Sequence, residues 1–266
     1  RIHLYISKPW RKDDLLYTIN QLLAKAELII ENKRLDELVK KQNAELVELN
    51  RDLEAKVHLK TIDLNRRAEE LKASYDKIQM ILDGTVLAMA KIVESRDPYT
   101  AGHQQQVTEI AGIIAEKMTL PPDRIEAIRI SAALHDIGKI AVPSEILTKP
   151  SQLSNLEREL VKTHSQSAYD ILKNIEFPYP IAEIILQHHE RMDGSGYPQG
   201  LKGDDILLEA RILAVADVIE AMSAHRPYRP ALGIEVAMEE ITGQSGILYD
   251  EDVVDACRKI YQENGQ

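Results

Sequence analysis

Between Glu27 and Leu82 the chain contains neither proline nor glycine, and Glu, Lys, Leu and Asn dominate. Such a stretch predicts one long helix, because both strong helix breakers are missing over many consecutive turns. Its seam reads Leu35, Leu38, Gln42, Leu46, Leu49, Leu53, Val57, Lys60, Leu64, Ala68 and Leu71. The steps are 3-4-4, repeated three times before a closing 3, and Tyr75, Ile78 and Leu82 continue at 4-3-4. An eleven-residue period predicts a straight or slightly right-handed bundle. A thin apolar stripe on a lone helix has nothing to bury it, so a parallel homodimer through this coiled-coil-like segment is expected. Gln42 and Lys60 weaken the seam and set its register.

A second constraint comes from acids inside apolar runs. Ile130 to Val142 reads Ile-Ser-Ala-Ala-Leu-His135-Asp136-Ile-Gly-Lys139-Ile-Ala-Val, an apolar run of helix length. Ile212 to Ile219 again sets one acid, Asp217, among aliphatic residues. Burying an ionised carboxylate costs several kcal/mol unless a partner offsets it. Between the two runs lie the doublet His188-His189 and an isolated His164, with His103 upstream. A single His-Asp pair is most simply a hydrogen-bonded core pair. Five of the eight histidines fall between 103 and 189, however, and a cation satisfies the whole set at once. Mixed imidazole and carboxylate donors suit iron, manganese or zinc, and the lack of thiolates argues against a structural zinc site.

Composition narrows the classes. A net charge of −10 argues against a nucleic-acid polymer as partner. The one cysteine, Cys257, excludes an internal disulfide framework and fits a reducing, cytoplasmic setting. No apolar run reaches the length of a membrane span, and no signal peptide opens the chain. The first residue is Arg1, so a fragment of a longer protein is expected.

After Thr85 the pattern is helical throughout, broken at prolines such as Pro98, Pro122 and Pro150. Asp83-Gly84 is expected to soften the junction before it. Met192 to Asp205 carries Gly194, Gly196, Pro198, Gly200 and Gly203 and reads as a loop.

Two resemblances follow from these motifs. Ile2 to Ile6 reads as a strand, then comes Ser7-Lys8-Pro9-Trp10 and a helix with Leu15, Leu16, Ile19, Leu22 and Leu23 on one face. This resembles the last strand and helix of a response-regulator receiver domain. Lys8 would hold the place of the lysine that contacts the phosphorylated Asp, and Pro9 that of the residue after it. The implied partners are the rest of that receiver and its histidine kinase.

The second resemblance rests on Arg96-Asp-Pro-Tyr-Thr before His103, on His135-Asp-Ile-Gly-Lys139, on His188-His-Glu-Arg191 with Asp193-Gly-Ser-Gly-Tyr-Pro, and on Arg211-Ile-Leu-Ala-Val-Ala-Asp217. From about Leu82 to Tyr261 the chain resembles the HD-GYP branch of the HD phosphohydrolases. The resemblance implies an all-α, HD-type helical bundle that hydrolyses cyclic di-GMP to pGpG, with GMP from a second round.

It also implies a metal centre, most often of iron or manganese. His103, His135, Asp136 and Asp217 would hold one ion, and Asp136, His164, His188 and His189 the second, with Asp136 bridging. Members with three metals carry a Glu where this chain has Tyr99, so two divalent ions per chain are expected. His225 stands where the family usually has Asp and reads as a surface substitution.

Lys139, four residues after His135, falls one helical turn along the same face, where it would neutralise phosphate charge or assist the departing oxygen. Lys149 and Arg191 are weaker candidates for phosphate contacts. Asp193, Gly194 and Tyr197 would shape the site, and the Gly196-Tyr197-Pro198 loop is a candidate contact for signalling partners. A tight turn explains the glycines equally well.

The expected organisation is therefore a receiver remnant (1–26), a helical linker (27–84) and a phosphohydrolase domain (85–266). Two rivals remain at this point: a slow, metal-loaded domain that senses the dinucleotide, and a hydrolase of another nucleotide such as a mixed cyclic dinucleotide.

Overall fold

A computed structural model describes residues 11–96, 102–149, 151–224 and 231–264. The strand expected at 2–6, with Lys8 and Pro9, lies outside the described residues, as do Pro98, Tyr99, Pro150 and His225. Helix α1 (Lys12–Glu94) runs for 83 residues. The chain divides into two compact units, 1–77 and 78–266, and α1 contributes to both.

The helix runs on through Asp83-Gly84, and no helix end falls at 26/27 or 84/85. An interior glycine costs a helix about 1 kcal/mol relative to alanine, which many cooperative turns absorb. Thr85 also closes its own turn, donating to the Ile81 carbonyl at 2.8 Å. In the first unit the predicted stripe lies open to solvent in the single chain: Leu35, Leu46, Leu53 and Leu64 are about half exposed, and Leu71 is 72% exposed.

The second unit is all-helical among the described residues. It contains the end of α1, then α2 (His103–Lys117), α3 (Pro122–Leu134), α4 (Ser144–Leu147), α5 (Asn155–Lys162), α6 (His164–Leu172), α7 (Ile181–Gln187), α8 (Leu208–Ser223), α9 (Ile234–Gly243) and α10 (Glu251–Asn264). Helix α8 is apolar on nearly every side and fills the centre. Its Ile212, Leu213, Val215 and Ile219 pack with Val107 and Ile114 of α2, Ile128 of α3, Ile241 of α9 and Val253 of α10. A smaller cluster joins Leu134 of α3, Leu172 of α6 and Ile181 and Ile185 of α7, with Val86 against it. Each such side chain contributes roughly 1.5–3 kcal/mol on burial. Helix α5 begins with a capping box in which Ser154 accepts from the Glu157 amide and Glu157 accepts from the Ser154 amide.

The apolar run from Ile130 is not one helix. Helix α3 stops at Leu134, His135 caps it, and Ile137–Ala141 forms a 3₁₀ turn. Close packing explains the change of course. A Cβ on Gly138 would stand 1.9 Å from the carbonyl oxygen of His164 and 2.6 Å from the Ala168 amide nitrogen. Only glycine lets the turn lie this near the start of α6.

Candidate metal centre

Helix ends build the site. His103 is the first residue of α2 and His164 the first of α6, while His135 and His188 cap the C-termini of α3 and α7. Asp136 and His189 follow those caps, and Asp217 enters from the middle of α8. The end of α1 and the turn after it brace two of these pieces. Glu94 accepts from the Gly102 amide at 3.0 Å, just before His103, and Arg96 donates to the Ile140 carbonyl in the 3₁₀ turn. Gly102 needs its lack of a side chain, since its φ is 80°.

Two donor groups result, His103 with His135 and Asp136, and His164 with His188 and His189. Asp136 Oδ2 lies 3.6 Å from His135 Nε2 and 3.9 Å from His103 Nε2, while its Oδ1 lies 3.7 Å from His164 Nε2. Asp217 Oδ1 lies 3.3 Å from His103 Nε2 and 4.0 Å from His135 Nε2. His103, His135, Asp136, His164 and His188 are all buried.

Tautomers sharpen the chemistry. His135, His164 and His188 each turn Nδ1 to a carbonyl oxygen one turn back, on Ala132, Val161 and Ile185. A carbonyl can only accept, so Nδ1 carries the proton and Nε2 presents a lone pair. Yet His164 Nε2 and His188 Nε2 face each other at 3.4 Å. Two buried lone pairs at that distance have no hydrogen bond to share, and a cation resolves the conflict. The donor set fits a metal centre.

Protonation states agree. Burial lowers the pKa of His164, puts that of His188 well below its ordinary value, and takes His189 down to about 3, so these rings are neutral. Burial favours the neutral acid at Asp136 and Asp217. Lys139 and the imidazoles outweigh it at the first, and His103 and His135 at the second, holding both well below the carboxylate range. Neutral imidazole and ionised carboxylate are the forms that bind metal. His103 differs: burial opposes its charge, but Asp217 and Glu220 raise it to about 9.

Lys139 reaches the site by a route other than the expected helical face. The 3₁₀ turn folds it back so that Nζ lies 2.7 Å from Asp136 Oδ2. Tyr197 also arrives, its ring centroid 4.7 Å from that of His189, with Lys162 Nζ 5.3 Å from the Tyr197 centroid. The other candidates are engaged elsewhere. Lys149 is held at 2.7 Å from both carboxylate oxygens of Glu157, and Arg191 donates to the Glu190 carbonyl and lies over the Tyr249 ring. Asp193 accepts from the Ser195 amide and closes its own turn. Gly194 adopts a φ of 84°, and a Cβ there would meet the Lys202 side chain at 2.3 Å.

Among the buried carboxylates not picked out from the sequence, Glu190 and Glu220 bear on the site. Glu190 accepts from the amides of Gln199, Gly200 and Leu201, pinning the glycine-rich loop. Glu220 lies one turn after Asp217 on α8 and bonds His103 Nδ1. Its signal was the i, i+3 spacing from an acid already singled out.

The sequence profile of the HD domain matches residues 88–253. The chain is 39% identical over 190 residues to the "Cyclic di-GMP phosphodiesterase response regulator RpfG" of Xanthomonas campestris, covering 71% of this chain and 50% of that protein. It is 38% identical over 184 residues to the "3'3'-cGAMP-specific phosphodiesterase 3" of Vibrio cholerae, covering 68% of this chain and 40% of that protein. The chain thus spans half or less of these curated relatives. Among solved structures, a cyclic GMP-AMP specific phosphodiesterase of V. cholerae superimposes with a TM-score of 0.53 at 19% identity, over 67% of this chain and 48% of that one, a likeness of fold.

Proposed function

The chain belongs to the HD domain family, and on that footing we propose that it is a metal-dependent phosphodiesterase of the HD-GYP branch that opens cyclic di-GMP to linear pGpG. One observation carries the reading: two buried donor groups share Asp136, whose two oxygens face different histidines. His103, His135, Asp136 and Asp217 would hold one divalent ion, and Asp136, His164, His188 and His189 the other, iron or manganese in each. Bound ions would supply Lewis acidity toward the phosphate and lower the pKa of water. The protein's own groups do the rest. Buried walls of the site exclude bulk water and strengthen every charge interaction within it. Lys139, held beside Asp136, offers a cation to the phosphate as charge builds on its oxygens and on the departing 3′ oxygen. The Tyr197 ring lies tilted against that of His189 and adds an aromatic surface beside the donor groups. Arg191, beside the Glu190 carbonyl, and Lys149, paired with Glu157, are further candidates for phosphate contacts.

The exposed stripe of α1 supports a homodimer through the long helix. The name of the X. campestris relative, a response regulator, supports a role as the output domain of a two-component protein. The V. cholerae relative's name supports a second reading on substrate, 3'3'-cGAMP.

The test is hydrolysis by the chain loaded anaerobically with Fe²⁺ or with Mn²⁺, offered cyclic di-GMP and 3'3'-cGAMP in parallel. Release of pGpG is expected, and Asp136→Asn should lower the rate on the order of 10³-fold or more, because it removes the shared charge. Tight binding of cyclic di-GMP without turnover by the loaded chain would make it a sensor instead. Preferential cleavage of 3'3'-cGAMP would move the substrate.

A further inference from the structure

Resting on the two-ion reading above, we propose that Glu220 is a positioning residue that acts through His103 to make the Asp217 side the tighter of two unequal cation sites. Three of the ligand histidines anchor Nδ1 on neutral backbone carbonyls, those of Ala132, Val161 and Ile185. His103 alone among these four anchors Nδ1 on a carboxylate, and Glu220 is buried at 4% exposure. A charged acceptor behind the ring makes Nε2 a stronger donor and fixes its orientation, as carboxylates behind metal-bound histidines do.

Charge separates the two groups further. The His103 side gathers Asp217 and Asp136 Oδ2, with Glu220 behind the ring. The His164 side has three neutral imidazoles and Asp136 Oδ1. Lys139 counters part of the difference, since its Nζ lies 2.7 Å from Asp136 Oδ2. With His103 in the neutral form that binds metal, Asp217 and Glu220 leave the His103 side the more anionic, and in a buried site that surplus is weakly screened. A divalent ion therefore fills that side first. The nitrogen-rich side fills second and is the more selective for metals that favour imidazole.

Isothermal titration of the full chain with Mn²⁺, checked by elemental analysis after gel filtration, reads this directly. The wild-type chain should show two unequal sites. Glu220→Gln keeps an oxygen for Nδ1 but removes the charge, and should weaken the tighter site by about 10–100-fold while leaving the other unchanged. Glu220→Ala should do at least as much. Should that variant fail to fold by circular dichroism, Glu220→Gln still decides the matter. Glu209→Gln, at a buried carboxylate paired with Arg124 away from the cluster, should alter neither site. Unchanged affinities in Glu220→Gln, or an equal fall at both sites, would overturn the inference while leaving the two-ion reading intact. A wild-type chain that binds no Mn²⁺ would remove both.

Discussion

At the scale of single residues, Gly138 is the position where the least atom has the largest consequence. A methyl group there would overlap the His164 carbonyl oxygen, which is backbone and cannot rotate aside. Gly138→Ala should cost about 3 kcal/mol or more, by overpacking, and should pull the turn carrying Lys139 away from His164. Thermal denaturation and Mn²⁺ content should fall together; a variant with wild-type values of both would refute the close packing. The same position shows what the sequence could and could not say. His135, Asp136 and Asp217 stood out because polar groups buried in apolar runs are expensive, and His103, His164, His188 and His189 because the histidines crowd one stretch; their division between two ions came only from the HD-GYP resemblance. The position of Lys139 was not legible, since a tertiary contact to α6 decides whether the chain after His135 continues as an α-helix. Glu220 looked like any helical carboxylate until His103, 117 positions away, came to rest against it.

Among the elements, α1 tests how much a breaker counts. Gly84 is exposed within the helix, and a Cβ there would meet nothing within 4 Å. Gly84→Ala should therefore stabilise the chain by about 0.5–1 kcal/mol, seen as a higher denaturation midpoint with an unchanged slope. A loss of stability would mean that the glycine serves a backbone conformation other than helix. The long helix itself was legible, since the absence of Pro and Gly from Glu27 to Leu82 left few alternatives. Its true reach, to Lys12 and Glu94, was not. Local signals such as Asp83-Gly84 are worth about 1 kcal/mol, and the burial of Ala90 and Val93 against the following helices outweighs them.

For the whole molecule, the division at 77/78 suggests where to cut. A variant lacking residues 12–77 should keep its helical core and metal binding yet be monomeric by light scattering, because it loses most of the exposed stripe. A variant that remained dimeric would place the interface in the second unit. The seven candidate ligand side chains carry a different consequence. They come from α2, α6, α8 and the ends of α3 and α7, between positions 103 and 217. An ion held by them is a removable cross-link, tying segments far apart in the chain as a disulfide would, but with a strength set by the surrounding concentration. Free metal at a hundred times its dissociation constant adds about 2.7 kcal/mol per site. For a unit of this size that is roughly 5–10 °C in melting temperature for each site. Chelation should lower the melting temperature by that order, and graded Mn²⁺ should restore it. A melting temperature indifferent to both would show that the helices need no such tie. If the tie holds, the heat resistance of this protein becomes a gauge of the metal supply around it.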